Sequence, residues 1–127
     1  MERDLARSLA RLLAAGRVAV GATAVVAPVT VARPWIGDAA DTLPSKLLAR
    51  TMGGRDLALG VGALRALSRT DAEARPWVAL GGAADAVDTL ATVVAFGALP
   101  RRLRWGVLAV TVGAALISTR TAIALDR

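Results

Sequence analysis

Apolar stretches long enough to cross a membrane alternate along this chain with short clusters of charge, and that alternation restricts the fold more than any motif does. A bilayer core is spanned by about 20 consecutive apolar residues in helical form. Stretches near that length occupy residues 12–32, 76–99 and 103–125, and a more heavily charged one occupies 45–68. Backbone polar groups inside lipid need partners within the protein, so spanning segments of this kind are helices. The expected fold is therefore all-α: an integral membrane antiparallel four-helix bundle forming one domain over 1–127.

Composition agrees with that reading. Apolar residues make up 55% of the chain while aromatics make up only 3%, so a water-soluble core would lack its usual large aromatic payload. Ala, Val, Leu and Gly carry the apolar content, which suits close helix–helix approach in lipid. The net charge of +6 is compatible with nucleic acid, yet no basic stripe with interleaved aromatics and no recognisable motif accompanies it. Arginines that flank apolar spans meet anionic headgroups instead. The expected partner is the lipid bilayer, with no nucleic acid. The sequence has no Cys, His or Tyr, which removes disulfides, thiol chemistry, His-ligated haem, the usual zinc sites and His general bases. No cofactor and no metal is expected.

Local signals set the boundaries. Pro28 bends or stresses the first helix, and Arg33-Pro34-Trp35 is expected to end it. A signal peptide is the competing reading of this segment, given its basic start and the small residues near Ala27. Residues 37–44 read as a loop, with Ser45 as N-cap of the second helix. Thr70-Asp71-Ala72-Glu73 is a capping-box pattern before the third, and Pro100-Arg101-Arg102 is a basic turn before the fourth. Trp35, Trp77 and Trp105 all flank apolar segments, as an aromatic belt places them. Basic residues number about eight on the side of the termini and about six on the other, which favours cytoplasmic termini in a multi-pass protein of the cell membrane.

The second helix is the weakest span. It holds Lys46, Arg50, Arg55, Asp56 and Arg65, and each charge at a helix centre costs about 2.5–3.5 kcal/mol on the insertion scale. Neighbouring helices must neutralise it. Gly81, Asp85, Asp88 and Thr92 form a polar stripe on the third helix. Arg17, Gly21, Ala24 and Pro28 form a stripe with the same stepping on the first, in which only Arg17 is polar and the small residues suit a packed face. At 1.5 Å rise per residue, Arg17 lies roughly 8 Å deep, Asp85 roughly 13 Å and Asp88 roughly 18 Å. The expected arrangement is a ladder: Arg17 with Asp85, Arg55 with Asp88, and Asp56 a spare acid. Two positives against three negatives leaves room for one protonated carboxyl.

Glycine spacing adds two expectations. Gly53, Gly54, Gly60 and Gly62 thin the second helix for close packing. Gly106, Ala109 and Gly113 line one face of the fourth helix, with Thr111 and Ser118 roughly opposite; close packing within the bundle is the expected role of that face, and a homo-oligomer through it is the lesser alternative. Asp85-Ala86-Val87-Asp88 has the D-x-x-D spacing with which some membrane transferases hold Mg²⁺, but the Gly and Ala-Arg that follow in the phospholipid-head-group enzymes are replaced by Thr89, Leu90 and Ala91, and no second Asp pair exists.

The segment Gly54-Arg55-Asp56-Leu57-Ala58-Leu59-Gly60, together with Asp85 and Asp88, resembles small bacterial four-helix membrane proteins that form a domain of unknown function, common in actinobacteria and loosely DoxX-like. The resemblance runs from about Ala14 to Ala122. It implies that Arg55, Asp56, Asp85 and Asp88 belong together, and it brings no established activity.

Three function classes remain. A non-catalytic membrane module with a buried Arg/Asp network fits the missing catalytic residue types best. A proton-coupled transporter of small or lipophilic compounds fits the intramembrane charges, although Arg17 stands where small multidrug exporters have a first-helix Glu. A cofactor-free isomerase or cyclase would use a buried Asp as general acid.

Overall fold

The computed structural model describes residues 1–126. It is all-helical, with no strand among the described residues. The elements are α1 (Arg3–Val26), α2 (Pro28–Ile36), a 3-10 segment (Gly37–Asp41), α3 (Leu43–Leu67), α4 (Asp71–Ala95) and α5 (Arg104–Ala124). By length and apolar content, α1, α4 and α5 are each sufficient to cross a membrane. With 25 residues α3 is long enough too, so its charges and not its length keep it out of that group.

Several boundaries differ from expectation, each for a local reason. The first helix was expected over 12–32; α1 instead starts at Arg3 and stops at Val26. Pro28 has no N–H to donate to Ala24, and its ring crowds that carbonyl. The chain breaks at Ala27, with φ −129° and ψ 68°, and restarts with Pro28 in the first turn of α2. Arg33-Pro34-Trp35 then lies inside α2 and does not end a helix. The expected loop is largely the 3-10 segment, and Thr42, not Ser45, caps α3: its hydroxyl accepts from the Ser45 N–H at 3.4 Å. Thr70 caps α4 as its pattern predicts, accepting from the Glu73 N–H at 3.1 Å. That cap starts α4 at Asp71, ahead of Pro76, and the helix ends at Ala95, short of the expected 99.

α1 packs most extensively on α3 and α4 on α5, while α3 also lies against α4. Glycines set the first of these contacts. A Cβ on Gly53 would sit 2.7 Å from the Gly21 carbonyl oxygen, and one on Gly60 would sit 2.7 Å from that of Ala14. Gly62 likewise makes room for the Trp77 ring. Gly54, Gly106 and Gly113 face nothing within 4 Å, so these three do not serve close packing within the chain.

The interior is built from small residues. One end is filled by Ala6, Ala10, Ala66, Leu67, Ala74, Val78, Ala122, Ala124 and Leu125, which brings both termini to the same end of the molecule. Large apolar side chains point outward instead, among them Leu12 at 70% exposure, Val94 at 80% and Val110 at 71%. In water so much exposed apolar surface would be a liability. The inversion of small inside and large outside is what helices packed in hydrocarbon require.

At the opposite end, the 3-10 segment is tied to α3 by Lys46, whose Nζ lies 2.7 Å from Asp41 Oδ1. That hydrogen bond first, and the lysine charge second, hold the Asp41 carboxyl below the usual range. A depressed folded-state value stabilises the fold above the unfolded value and loses that contribution as pH falls through the folded one. The side chain is exposed, so the contribution is small and salt-sensitive. Carboxyl NMR titration should place the Asp41 midpoint below that of the same carboxyl in Lys46→Met; equal midpoints would remove the lysine as its cause.

Glycine substitutions test the packing. Gly60→Ala should destabilise the detergent-solubilised protein by about 1–3 kcal/mol, as overpacking does. Gly16→Ala meets no neighbour and should be neutral, or stabilising by about 1 kcal/mol through helix propensity. Thermal unfolding compares the two, and a larger loss for Gly16→Ala would contradict this packing.

Candidate functional site: a buried Arg/Asp network

Arg17, Arg55, Asp56, Asp85 and Asp88 come from three helices and meet in one network. The polar stripe of α4 turns inward, with Gly81, Asp85 and Thr92 all buried. The small-residue stripe of α1 does the same: Gly21, Ala24 and Pro28 are buried, and Arg17 is 13% exposed. These two faces carry Arg17 up to α4. Its Nη2 donates to Asp85 Oδ2 and, at 2.7 Å, to the Gly81 carbonyl. The missing side chain at position 81 matters here, because a Cβ would sit 2.9 Å from Arg17 Nε.

Arg55 projects from α3 and holds Asp88 with both arms of its guanidinium, Nη1 to Oδ1 at 3.1 Å and Nη2 to Oδ2 at 2.8 Å. This fork-to-fork geometry is the strong form of an Arg–carboxylate pair. Asp56 is not spare. Its Oδ1 accepts from Arg17 Nη1 at 3.2 Å and from Arg55 Nε and Nη2 at 3.3 Å each, so it joins the two rungs of the expected ladder. The neighbour in sequence supplies the link: Arg55 and Asp56 lie about 100° apart around α3, which lets one reach α4 while the other reaches α1.

A fourth helix enters through Ser118 of α5, whose hydroxyl donates to Asp85 Oδ2 at 3.2 Å. Sequence reasoning assigned Ser118 to a face and gave it no partner. No local signal singles it out, because Ser118 opens the polar run Ser118-Thr119-Arg120-Thr121. Thr89 and Thr92 take a lesser part, donating to the backbone carbonyls of Asp85 and Asp88 at 2.8 and 2.7 Å.

The D-x-x-D pair does not converge on one point. Asp85 is turned to Arg17 and Ser118, and Asp88 spends both oxygens on Arg55. Among the described residues no three acidic side chains gather as a metal cage.

A cavity of about 340 Å³ adjoins the network. Asp56 and Asp88 line one end of it, and Trp35 and Ile36 of α2 contribute to its wall. This cavity depends on the helix break at Ala27, which brings α2 beside α3.

No family model, curated protein or solved structure matches the chain.

The bridging role of Asp56 predicts coupling between the two arginines. Arg17→Gln and Arg55→Gln should be non-additive by at least about 0.5 kcal/mol in thermal or denaturant unfolding, and should become additive in an Asp56→Ala background. Additivity in the unmodified background would mean two independent rungs. Ser118→Ala removes one hydrogen bond and should cost only about 1 kcal/mol.

Proposed function

We propose that this chain is a small multi-pass membrane protein, a non-catalytic module in which the Arg/Asp network locks an antiparallel four-helix bundle of α1, α3, α4 and α5. The observation that carries this reading is the mutual engagement of all five charged side chains across α1, α3 and α4. Contacts of Gly21 with Gly53 and of Ala14 with Gly60 support opposite directions for α1 and α3. The resemblance to the loosely DoxX-like actinobacterial proteins, which groups the same acids and Arg55, supports it from the sequence side. The apolar spans support a place in the cell membrane, and the excess of basic residues at the terminal end supports cytoplasmic termini. Self-association through Gly106, Ala109 and Gly113 belongs to the same proposal, since neither glycine has a neighbour within the chain.

In a membrane the lock has a clear task. A lone Arg55 or Asp56 in hydrocarbon opposes insertion of α3, and pairing removes that opposition once α1 and α4 are in place. Buried ion pairs of this kind select one arrangement of helices more than they add net stability.

A second reading, proton-coupled transport of small or lipophilic compounds, is supported by one observation, the cavity that reaches Asp56 and Asp88.

Charge exchange tests the lock. Arg17→Asp and Asp85→Arg should each lower the folded yield and cost about 3–5 kcal/mol, as breaking a buried pair does. The double substitution should recover more than half of that loss, measured by unfolding in detergent and by monodisperse yield. A double variant no better than the sum of the singles would sink the lock.

A further inference from the structure

The cavity beside the network is a slot with two unlike ends. Along α3 it is lined from Ser45 to Asp56, and on the facing side from Leu99, in the turn after α4, back along α4 to Asp88. Eleven helical steps span roughly 16 Å. Val20, Trp35, Leu48, Met52, Ala91 and Ala95 make most of that length apolar, while Asp56, Asp88 and Thr92 sit together at the inner end. The volume of about 340 Å³ falls within the range of small-molecule sites, which are mostly apolar with a few convergent polar groups.

The inner end discriminates by charge. Both oxygens of Asp88 are held by Arg55. Asp56 differs: its Oδ1 takes all of its hydrogen bonds, and Oδ2 accepts none among the described residues, nor is it sealed away as a buried orphan. With every group ionised, two arginines against three aspartates leave the network one negative charge in excess. An anion brought to this end would meet two carboxylates, and a neutral head would leave the excess charge unbalanced. One positive charge with N–H or N–CH₃ groups complements it, and the length beyond it takes a hydrocarbon chain.

We propose that this slot binds a lipophilic monocation, an alkylammonium whose head lies at Asp56 and whose chain runs towards Trp35. Binding of this kind requires neither transport nor a lock, so its failure leaves both readings above intact.

Three eight-carbon probes separate charge from chain: octylammonium, octanol and octanoate. They are titrated calorimetrically into the full chain in non-ionic detergent at neutral pH, with empty micelles as the blank. Octylammonium should bind saturably, one per chain and about tenfold or more tighter than octanol, with octanoate weakest. Asp56→Asn should bring octylammonium and octanol to within about threefold of each other. If that variant fails to fold, Ala91→Leu and Ala95→Leu decide the matter, since they fill the slot without touching the charges. Each should weaken octylammonium about tenfold while leaving the unfolding temperature unchanged. Equal affinities for octylammonium and octanol would overturn the proposal in favour of a cavity for any alkyl chain. Unchanged octylammonium affinity in both slot-filling variants would overturn it as well.

Discussion

The charge network around Asp56 is the constraint on which the remaining structure depends. One carboxylate oxygen accepts from arginines on two segments, Arg17 of α1 and Arg55 of α3, and Arg55 in turn clasps Asp88 of α4. The helices do not share these contacts equally. α3 carries the most charge and lacks a clean apolar span, so it gains most from the partners that α1 and α4 supply. In a low-dielectric interior an unpaired member of the set would be costly, and the set is satisfied only when the three helices take one relative position. Specificity of arrangement follows from that requirement, not from any large hydrophobic core.

Packing around the network obeys the same economy of space. Arg17 reaches the Gly81 carbonyl because position 81 has no side chain, and α1 approaches α3 closely because Gly21, Gly53 and Gly60 have none. Alanines, with Leu67, Val78 and Leu125, fill the terminal end of the interior, and most of the bulky Leu and Val residues are left for the outer surface. Without a hydrophobic difference between lipid and helix surface, association rests on close contact and interhelical hydrogen bonds. Both are present, and they occur at the same level of the molecule. The cavity is the exception to this tight packing. It exists where the chain breaks at Ala27 and the nine residues from Pro28 to Ile36 form α2, which walls a space that straight helices would have left to lipid.

Much of this was legible in the residues. Helical class, the apolar stretches that became α1, α4 and α5, the inward face of the α4 stripe and the pairing partners of Arg17 and Arg55 all rest on spacing, since residues three or four apart on a helix share a face. Asp56 was misjudged for a reason of the same kind. Spacing locates a residue on its own helix but not the distance to two others, and the bridge depends on Arg17 and Arg55 arriving within reach of one oxygen. Ser118 was missed because its face was defined relative to α5 alone. Gly106 and Gly113 were expected to pack like Gly53 and Gly60, and the sequence offers no way to tell an inward glycine from an outward one when both lie in apolar surroundings.

By itself, then, the sequence determined that the chain is helical, that three of its segments are long and apolar enough for a bilayer, and that Arg17 and Arg55 pair with Asp85 and Asp88. Period and hydropathy are local properties, and they suffice for that much. Only the tertiary structure decided that Asp56 joins the two ion pairs, that Ser118 adds a fourth helix, and that α2 folds beside α3 to leave a slot ending in two carboxylates. Each of these is set by how far a side chain reaches from one helix to the next, and interhelical distance is fixed by what packs between the helices: here glycine and alanine in some places, and a proline-turned corner in another.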